Sequence, residues 1–282
     1  MANRIRVGAV NYLNTKPLIE GLTTFAPEID LILDLPSRLA DRMAMGDLDV
    51  GLIPVVELFR AGTYSFIPDL SIASRGPVLS VTLFSRVPWG EIRSLALDEG
   101  SRTSAALVQV LLRHRHQISP VLETLPIDVP ADDASTDAVL LIGDRAMHAC
   151  LPGFRYAYDL GQAWTEWTGL PFVYAVWAVR GGVDLGPAVT AFSRAREAGQ
   201  QLTGAIAARE AKHLNLDPGF CRRYLTNIIH YDLGPRELAG LTRFRDLTAD
   251  LRLIPEGVSL EHYNRPDSVA SHGGRTALAG GR

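Results

Sequence analysis

Gly46-Asp47-Leu48-Asp49-Val50-Gly51-Leu52-Ile53-Pro54 is the stretch on which the fold turns. Residues 48–53 read as a strand buried on both faces, the mark of a parallel sheet covered by helices. Pro54 stands where proline favours the first turn of the next helix. Gly46 ends the helix before the strand; Leu39, Ala40 and Met43 are that helix's apolar positions and Ser37 its expected N-cap. Toward the N-terminus, residues 5–10 and 29–33 read as strands, with a helix between them from Pro17 to about Phe25. This alternation is how a mostly parallel sheet of βαβ units is written.

The pattern resumes downstream. Strands are expected at 79–84, 94–97, 121–124, 138–142, 155–158 and 172–179, with helices over 105–113 and from the Gly143-Asp144 turn to about Cys150. From Asp184 the pattern is helical alone, over 185–202, 204–214, 218–229 and 235–251, with Gly and Pro at the joins. The tail from about Ser268 lacks apolar periodicity and is expected to fray.

With 282 residues, 47% hydrophobic and 21% charged, the chain has enough apolar material for a sizeable core in one or two compact units. Every apolar run stops well short of the roughly 20 residues that cross a bilayer. The N-terminus starts at once as a strand, without the makeup of a secretory signal. A cytoplasmic protein with no membrane partner is expected. Net charge is −3 and the basic residues are scattered, which argues against a nucleic-acid partner. Cys150 and Cys221 have no CxxC spacing and read as free thiols. The seven histidines, among them His114, His116 and His148, form no HExxH or comparable set, so no metal is expected. With no GxSxG, GxGxxG or GxxxxGK[ST] motif, nucleophilic-serine and nucleotide chemistry are also disfavoured.

What remains is a set of polar residues at the C-terminal ends of strands, where open α/β sheets hold ligands. Asn11-Tyr12-Leu13-Asn14-Thr15 either caps the helix at Pro17 or grips a carboxylate or hydroxyl through its amides and Asn14. Ser80, a small hydroxyl in the apolar stretch 78–84, is either a core serine bonded to backbone or a ligand contact. Ser101-Arg102-Thr103-Ser104 gathers three hydroxyls, a guanidinium and helix-terminal N–H groups, an anion site or an ordinary cap. Asp144 follows a buried strand as a cap or a site residue. Trp164, Trp167 and Trp177 either wall an apolar pocket or fill the core.

Several stretches follow one another over about residues 5–180: Val10-Asn11-Tyr12-Leu13-Asn14 with Pro17-Leu18, residues 46–57, Gly76-Pro77-Val78-Leu79-Ser80, Ser101-Arg102-Thr103-Ser104, Leu141-Ile142-Gly143-Asp144, and residues 166–177. In that order they resemble the menaquinone-biosynthesis enzymes of the futalosine route, the chorismate dehydratase branch in particular. A Gly-x-Leu-Asp-Val-Gly run also occurs in solute-binding proteins of similar fold; the ordered combination is what is specific. The resemblance implies an α/β, two-lobed, type 2 periplasmic-binding-protein-like fold with a helical C-terminal region. One lobe would comprise 1–84 plus 180–282, the other 85–179, with the ligand cleft between them.

The activity so implied is dehydration of chorismate to 3-[(1-carboxyvinyl)oxy]benzoate, without a cofactor, by a monomer or weak homo-oligomer. Asn14 and Ser80 become the expected catalytic residues, and Tyr12, Ser101, Thr103, Ser104 and Asp144 the expected substrate contacts. The proton acceptor is either the substrate's own enolpyruvyl carboxylate, held by Asn14 and Ser80, or a side chain, Asp144 or Glu57. Lys16 and Arg75 flank the matched stretches and are candidate carboxylate partners on their charge, which the resemblance itself does not require. The related dihydroxynaphthoate synthases carry a histidine-containing pattern for which only His148 is near. A cytoplasmic protein that binds a small carboxylate without catalysis is the remaining alternative.

Overall fold

The computed structural model of the chain describes residues 4–264, so the tail from Ser268 lies outside the described residues. The first part runs β1 (Ile5–Val10), α1 (Lys16–Ile19), α2 (Leu22–Phe25), β2 (Ile29–Asp34), α3 (Pro36–Met45), β3 (Val50–Pro54), α4 (Val55–Ala61) and β4 (Ser65–Ser74). The middle runs β5 (Val81–Ser85), β6 (Ser94–Asp98), α5 (Thr103–Val110), β7 (Val121–Leu125), β8 (Ala138–Ile142), α6 (Gly143–His148), β9 (Tyr156–Asp159) and α7 (Leu160–Thr168). The last part runs β10 (Phe172–Val179), α8 (Val189–Gln201), α9 (Thr203–Leu214), α10 (Pro218–Arg223), β11 (Ile229–His230), α11 (Pro235–Asp250) and β12 (Glu261–His262).

Two sheets result. The first has the order β11-β4-β10-β3-β1-β2, with β12 added to β4. In it β1 runs parallel to β2 and β3, while β10 lies antiparallel between β3 and β4. The second has the order β7-β6-β8-β5-β9, parallel around β6 and antiparallel around β5. All five residues of β3 are buried, as the opening stretch requires. One apolar cluster runs through both sheets, and a smaller one with Phe84, Val139 and Phe154 backs the second. No helix among the described residues is long and apolar enough to cross a membrane.

Asp49, inside the opening stretch, ties three strands. It accepts from the Arg6 backbone amide at 2.9 Å, from the Arg6 guanidinium at 2.8 Å, and from Arg180, just past β10, at 3.0 Å. Burial pushes this carboxyl up, but the hydrogen bonds from Arg6 and Arg180 outweigh burial and hold it at about 2.

The structure departs from the pattern in several places. β4 went unforeseen because Pro68 and Asp69 interrupt its apolar run. Asp69 takes φ 63°, and the pairing passes from Val176↔Ser71 to Ala178↔Phe66, a bulge that accommodates the proline. Ser37 is not the N-cap of α3: the helix starts at Pro36, whose fixed φ suits a first turn, with Leu35 as the cap residue. The helix expected from Pro17 to Phe25 is broken at Gly21, φ 71°. Helix α10 passes through a π-helical turn, Tyr224–Ile228, into β11, where one helix to residue 229 was expected.

Sheet pairing also shifts both lobe boundaries. β5 belongs to the second sheet, although it was assigned to the lobe ending at 84. β10 belongs to the first, although it was assigned to the lobe ending at 179. The strand pairing decides this: β10 bonds β3 on one side and β4 on the other. The chain therefore crosses between sheets at 75–80 and again through α7.

Candidate active site

Residues 79 and 80, expected to begin a strand, form the first crossing instead. Leu79 holds φ 61°, an uncommon conformation for a branched side chain. Asp159, at the end of β9, accepts from the Val78 amide at 2.9 Å and the Leu79 amide at 2.7 Å, and it also caps α7 through Gln162. Burial raises the Asp159 carboxyl above the usual range, and these backbone hydrogen bonds oppose the rise. One carboxylate thus fixes the turn that carries Ser80.

A cavity of about 580 Å³, counting its mouth, opens where the two sheets meet. Its walls come from the loop after β1 (Tyr12, Asn14, Thr15), the crossing (Val78, Ser80), the loop after β6 (Ser101 to Ser104) and the end of β8 (Ile142, Gly143). Pro36, Pro54, Ile72 and Tyr174 complete the apolar part. The loops after β1, β6 and β8 leave the C-terminal ends of strands, where such sheets hold ligands.

Asn14, Ser80, Tyr12, Ser101, Thr103 and Ser104 all line this one cavity. The Ser101 hydroxyl is buried with no hydrogen-bond partner among the described residues. Thr103 Oγ1 accepts from the Val56 amide at 3.4 Å, which links the starts of α4 and α5. Helix α5 has no side-chain cap, so its first amides are left to the cavity. Arg102 also lines the cavity, but its guanidinium is paired with Asp41 at 2.6 Å and Glu57 at 3.3 Å.

Tyr12 closes one wall. Its ring lies against Gly143, φ 59°, where a Cβ would stand 2.8 Å from the Tyr12 ring, so glycine satisfies both the backbone and the contact. Burial pushes the Tyr12 phenol well above its ordinary value, with the charges of Asp98 and Asp144 adding to the rise, so it stays protonated.

Asp144 is not in this cavity. It lines a neighbouring one with Asn11, Lys16 and Glu210. Burial raises its carboxyl, opposed by a backbone hydrogen bond from Leu13, and its Oδ1 has no partner among the described residues. Lys16 sits there too, bonded to Asn11 at 2.7 Å. Glu57 is held by Arg60 at 2.6 Å as well as by Arg102, and Arg75 pairs with Glu237 at 2.9 Å. His148 lines a third cavity with Asp144 and Arg145. Trp164 and Trp177 are fully buried in the core, and none of the three tryptophans lines the site.

The pattern reading missed Tyr224, Tyr174 and Asp159. Tyr224, 1% exposed, donates to Ser80 Oγ at 2.8 Å and accepts from Asn14 Nδ2 at 3.3 Å. Tyr174 shares a hydrogen bond with Ser74 at 3.1 Å. Tyr174 does not stand out from the apolar run 172–179, and Tyr224 follows two arginines in a helical pattern far from the site loops in sequence. Asp159 reads as an ordinary strand end.

Two α/β lobes with a polar-lined cavity at their junction define a periplasmic-binding-protein-like chain. In agreement, the periplasmic aliphatic sulphonate-binding protein of Escherichia coli superposes with TM-score 0.62 at 17% identity, over 100% of this chain and 96% of that one. A crystal structure of an Archaeoglobus fulgidus protein gives TM-score 0.73 at 16% identity, over 90% and 99%. Within that class the chain belongs to the menaquinone biosynthesis family, whose model matches residues 5–250. The chorismate dehydratase of Thermus thermophilus is 30% identical over 258 residues, 85% of this chain and 93% of the relative.

Proposed function

We propose that this chain is a chorismate dehydratase, a carbon–oxygen hydro-lyase that forms 3-[(1-carboxyvinyl)oxy]benzoate in the cytoplasm on the futalosine route to menaquinone. One observation carries the reading: the cavity offers the hydroxyls of Ser80, Ser101, Thr103 and Ser104, the Asn14 amide and the open start of α5, with no Asp, Glu or His among its described lining residues. That inventory suits a dianion with a hydroxyl and supplies no side-chain base.

The chemistry needs little more than orientation. The C–H bond at the ether-bearing ring carbon breaks and its electron pair moves through the diene toward the ring carboxylate. The ring hydroxyl then leaves with its C–O bond pair, and the departing hydroxide and the abstracted proton make water. Hydroxyls 101, 103 and 104 with the α5 amides hold the ring carboxylate as charge spreads onto it. Asn14 and Ser80 hold the enolpyruvyl carboxylate, which takes the proton itself in a site screened from water. Asp144, in the neighbouring cavity, and Glu57, held by Arg60 and Arg102, are poorly placed to compete for that proton.

Incubation with chorismate, followed by absorbance and mass, tests the reading. An aromatic product 18 mass units lighter, the mass of one water, is expected, with Asn14→Ala lowering kcat by about a hundredfold or more and Asp144→Asn retaining most turnover. Binding without turnover would make the chain a carboxylate-binding protein. Loss of turnover with intact binding in Asp144→Asn would make that side chain the base.

A further inference from the structure

Ser80 and Asn14 are joined through a third side chain, Tyr224, which accepts from one and donates to the other. The Asn14 amide nitrogen only donates, and it points at the Tyr224 hydroxyl. That hydroxyl, having accepted, has its single proton left to give, and gives it to Ser80 Oγ at 2.8 Å. Ser80 Oγ is therefore occupied as an acceptor, and its own proton is left over. The nearest acceptor for that proton is the Val78 carbonyl at 3.4 Å, long for an O–H···O hydrogen bond.

Tyr224 reaches this position from the far C-terminal part of the chain. It opens the π-helical turn after α10, and such turns recur at functional sites. The phenol is enclosed, and burial, the largest influence, raises it well above its ordinary value, so the group is a neutral relay at any working pH. A leucine or phenylalanine would fill the same apolar space without burying a hydroxyl, so the hydroxyl answers to the polar pair it touches.

We infer that Tyr224 is a positioning residue that, by donating to Ser80 and accepting from Asn14, turns the Ser80 O–H into the cavity as a donor to the substrate oxygen at that end. This rests on the dehydratase reading above. Ser80 then hydrogen-bonds the departing ring hydroxyl or the enolpyruvyl carboxylate beside it, and Asn14, whose Oδ1 accepts from Thr15 Oγ1 at 3.4 Å, gives its second amide proton to that carboxylate. Tyr224 itself does not line the cavity and does not touch the reacting atoms.

Tyr224→Phe keeps the ring and removes only the hydroxyl. With chorismate as substrate, kcat is expected to fall about ten- to hundredfold while KM moves less than about threefold, because the lost orientation matters most as the leaving group departs. Ser80→Ala is expected to fall similarly, and the double variant no further than the worse single, since both changes delete one relay. Losses that multiply, or a Tyr224→Phe enzyme at the parent rate, overturn the inference. Asn14→Asp supplies only an acceptor and reverses the relay, so Tyr224→Phe should cost less in that background.

A second readout needs no turnover. In NMR spectra the Asn14 side-chain amide protons should exchange slowly with solvent in the parent protein and faster in Tyr224→Phe of equal thermal stability. Unchanged exchange contradicts the relay. A parent protein inert toward chorismate but showing the exchange difference would refute the activity and leave the relay standing.

Discussion

Asp144 shows how a single carboxyl can look catalytic in sequence and serve another end in the fold. It follows a buried strand at a site-like turn, yet it lines a neighbouring cavity and not the one that gathers Asn14 and Ser80. Burial raises its pKa above the unfolded value of about 3.9. Between those two values the folded state holds a proton that the unfolded state has released, so ionising Asp144 costs stability as pH rises through that window. Above the folded pKa the cost is fully present. Asp144→Asn should therefore be more stable than the parent at pH 7.5, and the advantage should shrink as pH falls toward 4. Urea denaturation at several pH values reads this; an advantage that grows on acidification contradicts it. Residue type alone could not separate Asp144 from Ser101 or Thr103, because what divides them is the cavity each comes to line once the lobes have packed.

At the scale of elements, Asp49 binds the edges of three strands and gives the first sheet its register. Arg6 belongs to β1, Arg180 follows β10, and Asp49 immediately precedes β3. Removing the carboxylate in Asp49→Ala should cost about 1–2 kcal/mol in denaturant unfolding, kept modest because both arginines are partly exposed. Its pKa is depressed in the fold, so the contribution is present above pH about 4 and fades as pH falls toward about 2. Unfolding midpoints that match the parent at pH 7 would contradict it. The parallel part of this sheet was legible because β1, β2 and β3 are short apolar runs separated by helical patterns. β4 was not, since Pro68 and Asp69 spoil its alternation and only the pairing with β10 restores it. The loops after β1 and β6 were legible as site material from their clustered amides and hydroxyls. Tyr224 was hidden because its partners lie 144 and 210 residues away.

Across the whole molecule, the cavity draws its walls from both sheets, so a ligand that fills it adds contacts between two halves already joined by the crossings and by a shared apolar cluster. A bound dianion should stabilise the entire fold and not one lobe. The benzoate product at about 100 times its Kd adds about 2.7 kcal/mol, which for a chain of this size raises Tm by roughly 4–5 °C. A single sharper transition is expected in calorimetry, with the shift reduced in Asn14→Ala. Two separate transitions, only one of which responds to ligand, would contradict the coupling. The strand order has one more consequence, for synthesis on the ribosome. The second sheet is built from one uninterrupted segment, and all its strands have been synthesised before β10 is translated. The first sheet meanwhile waits with β3 and β4 lacking the strand that must slot between them. The inserted half is thus the first to be complete and the surrounding half the last, and a nascent chain stalled ahead of Phe172 presents the open edge of β3 and a wholly unpaired β4 to its neighbours, the form most in need of a chaperone.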